Sequence, residues 1–241
     1  QRGETRYLLA LLLHDLGVSL REVGDIPRAV ASLREAHTVW SDLVGKQHPL
    51  AADTVVELVW WQFQSGDLSG AAREIPNAVV IYREAGDERE LSLARAEEML
   101  GLCAMEQHIL KPAEESLTNA LEIRRRRLGS QHRDVARAWH NLGVLYHRIS
   151  DLESAVALLE KAADVWQSQG EQAELARCLD QLGQVRLAAG EAKQAKQAFE
   201  RAGAIFEKQL NWPADHPEVL VNLGLQAECH ALLGDTQTAT E

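Results

Sequence analysis

Apolar and small residues recur along this chain at helical spacing, in blocks parted by short polar breaks. The blocks come in pairs. Residues near 4–22, 49–65, 88–107, 133–149, 171–189 and 216–233 read as first helices of hairpins. Residues near 26–44, 68–84, 111–128, 152–169 and 192–210 read as second helices, with a stub at 236–241. The turn residues Gly24, Gly66, His108, Ser150 and Gly234 lie at 24 plus multiples of 42, and Gly190 falls two residues early. Leu16, Leu58, Leu100, Leu142 and Leu182 each precede their turn by eight residues. Ala29, Ala71, Ala113, Ala155, Ala195 and Ala239 follow it by five, and Ala36, Ala78, Ala120, Ala162 and Ala202 by twelve. A small residue held at one register over many units marks helices that approach closely.

The turn chemistry agrees with the period. Glycine supplies the positive φ that ends a first helix. The following Asp25, Asp67, Asp151 and Asp235 suit the cap of the second helix, and Pro27 suits its first turn. Leu33, Ile75, Leu117, Leu159 and Phe199 are expected to fill the space between neighbouring hairpins. His48, His132 and His216 stand 84 residues apart, so they read as connector residues. One conflict stands out. Pro76 lies inside a second helix, where it removes a hydrogen bond and clashes one turn back, and this predicts a kink or break around residues 72–76. The expected fold is all-α: a right-handed α-solenoid of about six helix-turn-helix repeats, the last incomplete. It forms one repeat domain over 1–241, with repeats near 4–45, 46–87, 88–129, 130–170, 171–212 and 213–241. The chain starts at Gln1, not Met, and stops inside a unit, which points to a longer parent.

Composition narrows the function. The net charge of −11 argues against nucleic-acid binding, which needs a basic face. Arg124 to Arg127 form the one strong basic run and read as a solvated helix end, with contact to an acidic partner as the alternative. Cys103, Cys178 and Cys229 are odd in number and far apart, which suits free thiols in a reducing, cytoplasmic setting. No apolar run has the length of a membrane span. There is no phosphate-cradling glycine loop, no G-x-S-x-G, no H-E-x-x-H and no Cys-x-x-Cys. The expectation is therefore no catalysis, no metal and no cofactor.

Residues 121–162, LEIRRRRLGSQHRDVARAWHNLGVLYHRISDLESAVALLEKA, resemble the kinesin-light-chain type of tetratricopeptide repeat. The connector pattern appears as Leu128, Gly129, His132, Val135 and Ala136. It appears again as Val44, Gly45, His48, Pro49 and Ala51, and as His216, Pro217 and Val219. The helix pattern appears as Trp139, Leu142, Gly143, Tyr146, Ala155 and Ala162. Repeats two and three depart from it. Val59 replaces the helix-packing glycine, His108 replaces the turn glycine, and the connector at 86–92 lacks its His-Pro pair.

The resemblance implies that first helices line a concave groove. On that reading Arg95, Arg137 and Arg177 form a ladder. Trp60, Phe63, Met99, Leu102 and Met105 form an apolar patch, and Asn141 lies between these rows. The ladder has two readings, a grip on acidic groups or pairing with Glu57, Glu98 and Asp180. Trp60 and Phe63 likewise face either the groove or the core, whereas Trp40, Trp61, Trp139 and Trp166 read as packing residues. The leading expectation is a scaffold that binds a protein or peptide carrying acidic and bulky apolar residues. One alternative is a sensory or regulatory domain of a larger signalling ATPase or kinase, holding its own segment or a small ligand. A second is self-association through the ends of the array.

Overall fold

The small-residue register has a direct structural cause. In the computed structural model, which describes residues 2–234, every alanine five residues after a described turn is fully buried: Ala29, Ala71, Ala113, Ala155 and Ala195. Those twelve after it, Ala36, Ala78, Ala120, Ala162 and Ala202, are buried too. The predicted Asp235 cap, Ala239 and the stub at 236–241 lie outside the described residues.

The chain forms α1 (Arg2–Val23), α2 (Ile26–Val44), α3 (Pro49–Gln64), α4 (Leu68–Ala85), a 3-10 turn (Gly86–Arg89), α5 (Glu90–Glu106) and α6 (Leu110–Leu128). These are followed by α7 (Arg133–Arg148), α8 (Leu152–Gln169), α9 (Gln172–Ala188), α10 (Ala192–Lys208) and α11 (Pro217–Leu233). The fold is all-α among the described residues, and the helix boundaries lie within about two residues of the expected ones. None of these helices is long and apolar enough to cross a membrane. The chain packs as two compact units, Gln1–Arg127 and Leu128–Glu241.

Each hairpin closes by the same device. Gly17, Gly101, Gly143 and Gly183 face Leu33, Leu117, Leu159 and Phe199 of the same hairpin, and a Cβ on any of them would lie 2.4 to 2.8 Å from those side chains. These large residues therefore pack first within their own hairpin. Leu33 also joins Leu58 and Trp61 of the next one, as expected. The second hairpin is built differently: Val59 and Ile75 are both fully buried at the corresponding positions.

The turns confirm the register where glycine is missing. His108 and Ser150 adopt φ of 59° and 65°, alongside Gly24, Gly66 and Gly190 at 71°, 83° and 78°. Asp25, Asp67 and Asp151 cap the next helix by accepting from the amides of Arg28, Gly70 and Ser154. The connector histidines are themselves caps. The Nδ1 atoms of His48, His132 and His216 accept from the amides of Leu50, Asp134 and Glu218 at 3.2, 3.1 and 3.3 Å.

Two expectations are corrected in part. The helix is not broken at Pro76, and α4 runs on to Ala85. Pro76 itself is exposed, so its ring sits on the outer side of the helix and displaces no core residue. The Arg124–Arg127 run is a solvated helix end only in part: Arg125, Arg126 and Arg127 are exposed, but Arg124 is not. Arg124 is 3% exposed and grips the carboxylate of Glu98 with two bonds, at 2.9 and 2.7 Å. Arg126 and Arg127 both hold Glu90 at the start of α5. Those contacts keep the Glu90 carboxyl below its usual range, Arg126 contributing most.

Candidate functional site

The predicted residues separate by unit. In the first unit Met99 and Met105 are only 4% exposed. They do not present a surface, because they face the packed interior of their hairpins. Trp60, Phe63 and Leu102 are half-buried, packed against the cluster that contains Val56, Val59, Ile75 and Met99. Trp60 also meets Trp61 edge-on, with ring centroids 4.8 Å apart. The apolar patch is thus mainly core with a partly open rim. Trp61, Trp40, Trp139 and Trp166 are buried, as expected.

The arginine ladder is paired by three different routes. Arg95 meets Glu57 on the preceding first helix at 2.5 Å. Arg137 meets Asp134 on its own helix at 3.1 Å. Arg177 reaches Glu218 on the following first helix, its Nε 3.0 and 3.1 Å from the two oxygens, and lies 5.8 Å over the Trp212 ring. Of the three carboxylates expected to serve the ladder, Glu57 does so. Glu98 holds Arg124, and Asp180 accepts from Asn222 at 2.6 Å.

In the second unit these groups surround a cavity of about 400 Å³. Arg133, Asp134, Arg137, His140 and Asn141 come from α7, Trp166 from α8, Glu171 from the residue before α9, and Glu174 and Arg177 from α9. Arg137, Asn141 and Arg177 were the expected site residues, whereas Arg133, Asp134, Trp166, Glu171 and Glu174 were not expected at the site. They could have been found, since Trp166 and Glu174 stand at the register positions of Tyr82 and Ser92. Those two line the corresponding small cavity of the first unit, about 130 Å³ in volume, together with Asp53, Glu57 and Arg95. That space is closed by Tyr82, which donates to Asp53 at 2.7 Å, and by Arg89, which donates to it at 3.1 Å.

His140 forms the floor of the larger cavity. Its ring lies 5.6 Å from that of Trp166, and its Nδ1 is buried with no hydrogen-bond partner. Burial, helped by the nearby Arg177 charge, lowers its pKa to about 4. At neutral pH the imidazole is therefore uncharged, and the charges that face the space are three guanidinium groups and three carboxylates. Such a lining can exchange an internal carboxylate for one on a ligand without leaving an arginine bare. The three thiols contribute nothing reactive. Cys103, Cys178 and Cys229 are buried and unlinked, and burial raises the Cys103 pKa to about 11.

Comparison with known proteins agrees with the repeat fold. The family model described as "Tetratricopeptide repeat" matches residues 92–168 and 151–208, and a second model of the same description matches residues 9–50. Protein KINESIN LIGHT CHAIN-RELATED 2 from Arabidopsis thaliana is 19% identical over 146 residues, 61% of this chain and 22% of that protein. The chain thus matches about a fifth of the length of this curated relative. The crystal structure of BtubC (BKLC) from P. vanneervenii is similar, with a TM-score of 0.71 and 28% identity over 85% of this chain and 82% of that one. So is a Rap protein complexed with competence and sporulation factor. Its TM-score is 0.71 at 14% identity, over 97% of this chain and 72% of that one.

Proposed function

Because the chain belongs to the tetratricopeptide-repeat family, we propose that it is a protein-interaction scaffold whose α7–α9 cavity holds a segment of a partner protein. The observation that carries this is the convergence of Arg137, Asn141 and Arg177 on one cavity of about 400 Å³. Acidic side chains of the segment displace Asp134 and Glu218 from Arg137 and Arg177. Asn141 offers an amide to the segment's backbone, and the Trp166–His140 floor receives an apolar side chain. The Rap protein, which is held with a factor bound, is a precedent for the fold alone. Nothing in this lining requires the chain to do chemistry.

An array of peptides that combine acidic and aromatic residues tests the proposal, followed by affinity measurement on the best binder. The Arg137→Glu chain is expected to lose at least tenfold in affinity while its unfolding temperature hardly changes, since Arg137 is half exposed. Equal binding by both chains would remove the cavity from the mechanism.

Self-association is a second reading, favoured by one surface. Helix α1 exposes Tyr7, Leu8, Leu9, Leu12 and Leu16 together, more apolar area than an isolated surface leucine explains. Light scattering should then show mass rising with concentration, and Leu8→Glu with Leu12→Glu should abolish the rise. A chain that stays monomeric at every concentration excludes this reading.

A further inference from the structure

Basic residues in this chain are outnumbered by acidic ones, 25 to 36, and in the first unit they find partners readily. Arg6 meets Asp42, Arg83 meets Glu97, Arg89 meets Asp53, Arg95 meets Glu57 and Arg124 meets Glu98. Three cations around one cavity do not. Arg34 on α2, Lys46 in the following connector and Arg73 on α4 line a space of about 550 Å³, closed on its inner side by Val55, Leu58 and Gln62 of α3. None of the three makes an ion pair among the described residues, and the one acidic group in the lining is Glu74. Three positive charges against one leave a formal excess of two.

The second unit contains the same cavity with its charges settled. Adding 126 to the numbers of Arg34, His37 and Thr38 gives Glu160, Ala163 and Asp164 on α8. Adding 124, because one intervening loop is two residues shorter, takes Val55, Leu58, Gln62, Arg73 and Asn77 to Leu179, Leu182, Arg186, Gln197 and Arg201. Those residues line a cavity of about 260 Å³. There Arg186 meets Glu160 at 2.5 Å, and Arg201 donates to Gln167 at 3.4 Å. The first unit has reversed the charge at one of these positions, Arg34 for Glu160, and widened the space.

A further group in the wider cavity lacks a partner. Gln62 is 9% exposed and lines the space, and its Nε2 donates to Glu74 at 3.3 Å, which fixes the amide's orientation. Its Oε1 is then buried and accepts nothing. A buried acceptor left bare is uncommon and calls for a donor.

We propose that the cavity between α2, α3 and α4 is a binding site for a phosphate monoester. The dianionic phosphoryl group sits among Arg34, Lys46 and Arg73, and the body of the ester lies against Val55 and Leu58. A phosphate monoester carries a charge of about −1.5 to −2 at neutral pH, which matches the excess of two. Arg and Lys are the side chains that hold such oxygens. The volume lies within the range of about 300–1,000 Å³ usual for small-molecule sites, well beyond what a bare phosphate fills. A hydroxyl or amine on the ester supplies the donor that Gln62 lacks. This site is independent of the α7–α9 cavity.

Calorimetric titration of the intact chain tests it with three probes: inorganic phosphate, adenosine 5′-monophosphate and a phosphoserine peptide. At least one probe should saturate a single site. Binding of the nucleotide over the peptide assigns the ester to a small molecule, and the reverse assigns it to a modified protein. Arg73→Gln should weaken that probe by about tenfold, and Arg34→Glu, which copies Glu160, should abolish binding. All three cationic side chains are exposed, so both variants should unfold at the wild-type temperature. Arg201→Gln in the second unit should bind as the wild type does. The proposal is overturned if none of the three probes saturates, or if Arg34→Glu binds as tightly as the wild type.

Discussion

At the scale of single residues, two polar positions set measurable energies. His132 begins α7 by accepting from the Asp134 amide, a task usually given to Ser, Thr, Asp or Asn. His132→Ala should cost about 1 kcal/mol in chemical denaturation, and His132→Asn should recover most of it. The spacing of His48, His132 and His216 was plain in the sequence. Their capping role was not, because histidine is an unusual cap and only the geometry of Nδ1 shows it. Asp180 is the second case. It is buried, accepts from Asn222, and stands near Glu218, and burial raises its pKa to about 7. The folded chain therefore keeps a proton that the unfolded chain releases at about pH 4. Stability from this group is full at low pH and is lost as pH rises between about 4 and 7. Asp180→Asn keeps an acceptor for Asn222 and removes the titration. It should unfold like the wild type near pH 4 and be more stable at pH 8, by on the order of a few kcal/mol. A variant with an unchanged pH slope would place the titration elsewhere.

At the scale of helices, the hairpin is the unit that folds. Glycine against leucine or phenylalanine closes four of them, and valine against isoleucine closes the second. Gly143→Val should overpack α7 against Leu159 and cost about 1–3 kcal/mol. Adding Leu159→Ile, to copy the second hairpin, should return part of that loss in a double-mutant cycle. Purely additive effects would mean that the two sites do not share the contact. The sequence showed Val59 as a departure but not its compensation, since Ile75 looks like any other core residue. Pro76 misled for a related reason. The 42-residue register places it on the outer side of α4, where its ring displaces no core residue, and helix propensity alone cannot see that. Arg124 misled in the opposite direction. It continues the buried series Ala113, Leu117, Ala120 and Leu121 of α6, so the helical period outweighed its charge.

At the scale of the molecule, burial is uneven. Helix α11 buries only Asn222 and Cys229, whereas α9 buries eight residues. Amides of α11 should therefore exchange with solvent well before those of α9 in hydrogen-exchange mass spectrometry. Comparable protection would show that the polar Asp180–Asn222–Gln226 network holds α11 more firmly than its burial suggests. The fold was legible because the hairpin is written five times over among the described residues, so one irregular turn could not hide it. The site was less so. A period shows which residues share a position, but whether a position is open or filled depends on the neighbour across the gap, such as Tyr82 in one unit and Trp166 in the other.

The valine–isoleucine closure has a consequence for recombination. Hairpins that close glycine on leucine have matching inner faces at that contact, so exchanging one helix between them by gene shuffling should leave each closure intact. The second hairpin is a private key. A chimera that takes only α3 or only α4 from it inherits half a lock, whereas one that takes both should fold.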